Sequence, residues 1–157
     1  MKNKKYKIAV FKPIGYVESI IDSEHKYEPK EVLAKIILEK DLEETLDGIE
    51  DFTHIIVIYW THQLAGIPFP KKVHPKRDPN LPVRGVLSTR SPIRPNCIGL
   101  AVVKLEKRKN NVLEVRGLDA FNGTPILDIK PYIKNLDCVP EAKAPPFIEK
   151  EKNYLTR

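Results

Sequence analysis

Cysteine is scarce in this chain. Cys97 and Cys138 are the only two. They cannot make a disulfide framework, and no Cys/His spacing suggests zinc. Each is expected to be a buried free thiol. No stretch approaches the roughly 18 apolar residues of a membrane span. The basic start, Met1 to Lys7, has no signal-like apolar core and no small-residue cleavage site, so the expected location is cytoplasmic. No GxGxxG or GxxxxGKS element is present, and strands do not alternate regularly with helices. Those absences exclude a Rossmann domain and a P-loop. His54, His62 and His74 show no HxxEH or HxH spacing, so a metal hydrolase is a poor reading. Internal repeats at solenoid periods are also missing.

What is present fits a soluble globular domain. The 157 residues are 41% hydrophobic and 31% charged, enough for one ordinary core. Lys and Arg exceed Asp and Glu by 27 to 21, a net charge of +6. That excess suits an anionic partner and equally serves solubility. The 14 prolines exclude a long helical bundle and favour strands joined by shaped loops.

Apolar patterning predicts strands over Ile8–Val17, Val32–Leu38, Phe52–Trp60, Val86–Leu87 and Ile126–Ile129. Ile98–Leu105 and Val112–Leu118 read as a hairpin around Lys109-Asn110-Asn111. One short helix is expected after Asp41, with Glu44 three residues on as a capping box and Leu42, Leu46 and Ile49 on one side. The fold class is therefore mainly β: a small barrel or strongly bent sheet with one or two short helices. Residues 64–84 carry five prolines with Lys71, Lys72, His74, Lys76 and Arg77. So long a loop is either a solvated excursion or an anion-contacting surface.

Two segments stand out chemically. Ser88 to Leu100 places Arg90 and Arg94 among small polar side chains, stiffened by Pro92 and Pro95. Such a loop can present rigid donors to a carboxylate, phosphate or ribose, or can simply be a well-capped turn. Gly117 to Tyr132 contains the tight-turn signal Asn122-Gly123 between Asp119 and Asp128. Lys130 and Tyr132 follow Asp128 at period two, so the three share one strand face. The bland alternative makes Asp119 a turn hydrogen-bonder and Lys130 a solvated lysine.

The strings TRSPIRPNCIGL (89–100) and LDAFNGTPILDIKPYI (118–133) resemble the signatures of the TsaA/TrmO family. A weaker likeness covers Gly48 to Ile55, and together the match spans roughly residues 8–135. The resemblance implies a single-domain β-barrel methyltransferase over residues 1–135 that binds S-adenosylmethionine without a Rossmann fold. The resemblance also implies a homodimer, and a tRNA substrate carrying threonylcarbamoyl-adenosine beside the anticodon. The Pro/Lys-rich tail, 136–157, is expected to pack on the barrel or on a dimer partner. Carried over by residue, His62, Arg90, Leu100 and the turn Asp119, Ala120, Phe121 and Asn122 belong to the cofactor pocket, with Ser91, Arg94 and Asn96 shaping the same loop. Asp128, Lys130 and Tyr132 match a DIKPY signature and are expected to be catalytic. The chain departs from the family pattern at Asp22-Ser23-Glu24-His25, where Pro-Arg-Gln is usual, at Asn122 in place of Asp, and at Ala101 in place of a hydroxyl residue. The longer bacterial members carry a further C-terminal domain. Competing readings are a methyltransferase on another small molecule or nucleobase, and a basic RNA-binding barrel without chemistry.

Overall fold

The computed structural model describes residues 8–21 and 31–149. The Asp22 to His25 departure lies outside that range. Eight strands form in chain order: β1 (Gly15–Ser19), β2 (Leu33–Leu38), β3 (His54–Trp60), β4 (Lys72–Val73), β5 (Arg84–Gly85), β6 (Ile98–Lys109), β7 (Val112–Arg116) and β8 (Pro125–Pro131). Six of them close into a barrel in the order β1-β2-β7-β6-β3-β8, and β4 pairs with β5 in a separate two-stranded ribbon. Closure removes the unpaired edges that an open sheet of this size would expose.

Alternating apolar residues turn inward from every barrel strand. Val17, Ile36, Ile55, Val57, Val103, Leu113, Val115 and Ile126 are fully buried there, joined by Leu118 from the following loop. Strand β3 pairs with β6 on one side and β8 on the other, as barrel closure requires. The expected hairpin is β6–β7, and Asn110 takes the left-handed conformation (φ 56°) that its turn requires.

The barrel closes at Gly15, which pairs with Leu38 of β2 and Ile126 of β8. A Cβ at this position would run into the backbone of Ile37 and Leu38. Glycine is therefore required by close approach, not by an unusual dihedral.

Several expectations are corrected. The first strand begins only at Gly15; Ile8, Val10 and Phe11 are 92%, 90% and 68% exposed, because Pro13 cannot extend a ladder and no strand among the described residues covers them. The helix is a 3₁₀ helix, Lys40–Leu46, followed by a second short turn, Ile49–Asp51. Glu39 precedes the first of these with no side-chain cap, so the Asp41 capping box does not form. Residues Val86–Ser88 form a 3₁₀ turn; the strand precedes it at Arg84–Gly85. Between residues 64 and 84 the chain carries the β4–β5 ribbon and a short 3₁₀ turn, Pro75–Arg77, so it is not structureless. The tail is not wholly irregular: it contains two single-turn helices, α1 (Lys134–Asp137) and α2 (Pro146–Glu149). Cys97 is buried as expected, but Cys138 is exposed.

The closure point predicts a clear asymmetry. Gly15→Ala should lower stability by about 2 kcal/mol or more through backbone overlap. Gly85→Ala, whose nearest obstacle is Ser88 Oγ at 3.9 Å, should stay within about 0.5 kcal/mol of the parent. Thermal unfolding of the two variants measures this, and equal melting temperatures would contradict it.

Candidate functional site

One large cavity of about 1250 Å³ opens at an end of the barrel. Most of its walls come from three stretches distant in sequence: the end of β3 with its following turn, the 87–100 loop, and the 119–124 turn. Each wall is tied down by specific bonds. Thr61 donates both its backbone N–H and its hydroxyl to the Cys97 carbonyl, each at 2.8 Å. Cys97 itself sits at φ 49°, and its N–H and thiol both reach the Arg94 carbonyl. These bonds fold the 88–97 loop back on the end of β3. Within the loop, Thr89 Oγ1 donates to Val86 O at 2.8 Å and accepts from Ser91 N at 3.2 Å. On the opposite wall, Val17 N donates to Thr124 O at 2.9 Å and Gly123 N to Val17 O at 2.8 Å.

The structure gathers His62, Arg90, Ser91, Arg94, Asn96, Leu100, Asp119, Ala120 and Phe121 around this one cavity. Asn122 does not line it. Its Oδ1 accepts from Ser19 N at 3.2 Å, so it fastens the 119–124 turn to β1. Sequence reasoning missed Tyr59, Thr61, Gln63, Leu87 and Ile148, all of which contribute to the wall. Tyr59 carried only the signal of its place at the end of the apolar run of β3. Ile148 carried none, because only the path of the tail brings α2 back over the opening. Phe147, beside it, holds the Arg84 guanidinium 5.5 Å from its ring centre, a cation–π contact that ties the tail to the ribbon.

Asp128, Lys130 and Tyr132 share one face, as their spacing predicts, but that face is outside the barrel. The β3–β8 register shifts between Ile58 and Tyr59, so Ile58 faces Asp128 while Tyr59 faces Ile126. Leu127 is thus a bulge residue. It lets Ile126 and Ile129 both turn inward, and Asp128 and Lys130 turn outward. Lys130 Nζ lies 2.8 Å from Asp128 Oδ2, with both side chains substantially exposed. Tyr132 meets His54 edge-on, with 6.5 Å between ring centres.

The polar content of the cavity is mixed. Two guanidinium groups, one carboxylate and several hydroxyls stand beside Leu87, Ile98, Leu100 and Phe121. His62 Nδ1 is buried with no hydrogen-bond partner. A buried polar nitrogen without a partner costs free energy, and a ligand that bonds it recovers that cost. Resolved shifts in acidity belong to groups elsewhere. Glu106 is held below its ordinary range by hydrogen bonds from Lys104 and then Arg116, and Arg108 is raised by its bond to Asp47. Neither lines the cavity.

Residues 24–138 match the family described as the tRNA-methyltransferase O N-terminal domain. The chain belongs to this family. A "probable S-adenosyl-L-methionine-binding protein" of Pyrococcus abyssi is 40% identical over 81% of this chain and 70% of its own length. A second protein so named, from Methanocaldococcus jannaschii, is 40% identical over 81% of this chain and 94% of its own. The "tRNA (adenine(37)-N6)-methyltransferase" of Rattus norvegicus is 38% identical over 80% of this chain but only 31% of its own length. A crystal structure of TrmO from P. aeruginosa superposes with a TM-score of 0.75 at 28% identity, covering 92% of this chain and 64% of that one. The chain therefore spans less than two thirds of that structure and about a third of the rat enzyme.

The donor set fits S-adenosylmethionine. Arginine suits its carboxylate, Asp119 its amino group or ribose hydroxyls, and the apolar wall its adenine. His62 Nδ1 offers the buried polar contact still to be made.

The cavity floor depends on a glycine. Gly99 of β6 lies opposite Tyr59 of β3, and both line the cavity. A Cβ on Gly99 would overlap the Tyr59 ring. Gly99→Ala should therefore cost about 1–3 kcal/mol. The Gly99→Ala/Tyr59→Ala pair should recover about 1 kcal/mol of that as a coupling energy. A double-mutant cycle by denaturant unfolding tests it; strict additivity would contradict the packing described.

Proposed function

We propose that the chain is an S-adenosylmethionine-dependent methyltransferase acting on tRNA, which N-methylates threonylcarbamoyl-adenosine beside the anticodon. The observation that carries this reading is the large cavity. It gathers, from three distant stretches, every residue assigned to the cofactor except Asn122. The relatives named for S-adenosylmethionine binding and for tRNA methylation support it. A cytoplasmic location fits a tRNA substrate. Among the described residues, no helix is long and apolar enough to cross a membrane.

Bound in the cavity, the cofactor supplies an electrophilic methyl group on a positively charged sulfur. The residues of the chain align and shield. Arg90 holds the cofactor's carboxylate, and Asp119 holds its amino group or ribose. Leu100, Ile98 and Phe121 exclude water from the adenine side. Alignment of donor and acceptor supplies much of the rate. An amide-like acceptor nitrogen is a weak nucleophile, so a base that takes its proton is needed. Asp128 or Tyr132 fills that role, and Lys130 stabilises negative charge on the neighbouring carbonyl oxygen.

That assignment requires a second copy of the chain. Asp128, Ile58 and Leu100 form one row across the outer face of β8, β3 and β6; Lys130, Ile56 and Val102 form the next. Leu100 and Val102 are 49% and 46% exposed, and Leu100 also lines the cavity. A homodimer formed on this face covers the apolar row and sets each chain's Asp128, Lys130 and Tyr132 beside its partner's cavity. The basic ribbon, with Lys71, Lys72 and Arg84, supplies phosphate contacts, so tRNA binding should weaken steeply with salt.

The test is methyl transfer to tRNA with and without the threonylcarbamoyl group, using the parent and two variants. Arg90→Ala should lose cofactor binding. Asp128→Asn should keep it and lose turnover by about 100-fold or more. Mixed together, the two inactive variants should regain up to about a quarter of parental activity, because half the random dimers hold one intact site. Unchanged turnover in Asp128→Asn removes Asp128 from the mechanism. Saturable cofactor binding without tRNA transfer points to another small-molecule or nucleobase acceptor. No cofactor binding at all leaves an RNA-binding module.

A further inference from the structure

A second, smaller cavity of about 310 Å³ lies beside the first. The two share one wall, Arg94-Pro95-Asn96, which lines both. Around the second cavity stand Trp60, Ile67 and Phe69, exposed by 36%, 47% and 44%. Large apolar side chains grouped at a cavity mouth are costly in water and mark a binding surface. No carboxylate lines this cavity. Ala65, Gly66, Ile67 and Phe69 of its wall belong to a segment that runs on into the basic residues Lys71 and Lys72.

Aromatic faces beside the Arg94 guanidinium, with no carboxylate in the wall, suit one ligand chemistry: an unpaired nucleobase stacked on a ring, with its phosphate on the arginine. We propose that this second cavity is a stacking site for the nucleotide that neighbours the methyl acceptor in a single-stranded RNA loop. Phe69 is the stacking platform, and Trp60 is the second aromatic ring of the wall. Arg94, common to both cavities, meets the phosphate that links the two nucleotides. Its guanidinium is only loosely held by the protein, since Nη1 lies 3.5 Å from both Thr89 O and Ser91 O. The site would make the enzyme read an unstacked loop in addition to a modified base. A nucleotide buried in a duplex cannot enter it.

The inference rests on the RNA reading above, and its test separates the two. The probe is an anticodon stem–loop RNA, intact or with an abasic site at either neighbour of the acceptor adenosine. Affinity is measured across a salt series with the full chain. Salt-dependent binding of the intact RNA by the parent is the check on the RNA reading; its absence overturns both proposals. Phe69→Ala should weaken binding about tenfold at every salt concentration. The salt slope should not change, because no charge is lost. Phe69→Trp should restore the affinity. One of the two abasic probes should bind the parent about as weakly as intact RNA binds Phe69→Ala, and Phe69→Ala should not distinguish that probe from intact RNA. The stacking site is overturned, with the RNA reading intact, if Phe69→Ala binds like the parent. It is equally overturned if Phe69→Ala still discriminates the abasic probe. A change of oligomeric state in size-exclusion chromatography of the variant also overturns it, by making this surface an interface between copies.

Discussion

The seam that closes the barrel is the constraint on which the rest depends. β1 meets β8 over only two residue pairs, Gly15 with Ile126 and Tyr16 with Pro125. Backbone bonds from Ile14 and Val17 to the 124–126 segment extend the contact, and Asn122 adds its side chain to Ser19. The same seam carries the turn that supplies Asp119, Ala120 and Phe121 to the cavity. Closing the barrel and building the site are therefore one event. At Gly15 the close backbone approach is to β2, so this residue joins the seam strand to the rest of the barrel.

Strand β8 then serves two surfaces. Its bulge at Leu127 keeps Ile126 and Ile129 in the core while turning Asp128 and Lys130 outward. Without the bulge, strict alternation would send either the hydrophobic or the charged residues to the wrong side. The outward pair is exposed and close, an arrangement worth little to stability. Its place beside the apolar row on β3 and β6 makes it part of the surface on which the proposed dimer forms.

Much of this is legible in the sequence. Apolar runs mark β2, β3 and the β6–β7 hairpin, because barrel strands must bury apolar side chains. The two signature loops contain most of the residues that line the cavity, while the end of β3 and the tail supply others. The rest depends on information that no local pattern holds. The bulge at Leu127 is a property of register against β3, so a regular strand can place Asp128, Lys130 and Tyr132 together but not say on which face. The Asp41–Glu44 spacing matches a capping box, yet a 3₁₀ helix starting after Glu39 leaves that box unformed. Ile148 reaches the cavity only through the tertiary path of the tail. Asn122 falls within a ligand-contact motif, yet its oxygen is committed to the seam.

Everything proposed for the chemistry requires that the large cavity hold S-adenosylmethionine through residues of the 88–100 loop and the 119–124 turn. Isothermal titration of the full chain with S-adenosylmethionine examines that requirement without any assumption about the methyl acceptor. Saturable binding at one cofactor per chain, displaced by the demethylated product, is the expected result. Titration without saturation, in a protein that unfolds cooperatively, would contradict it.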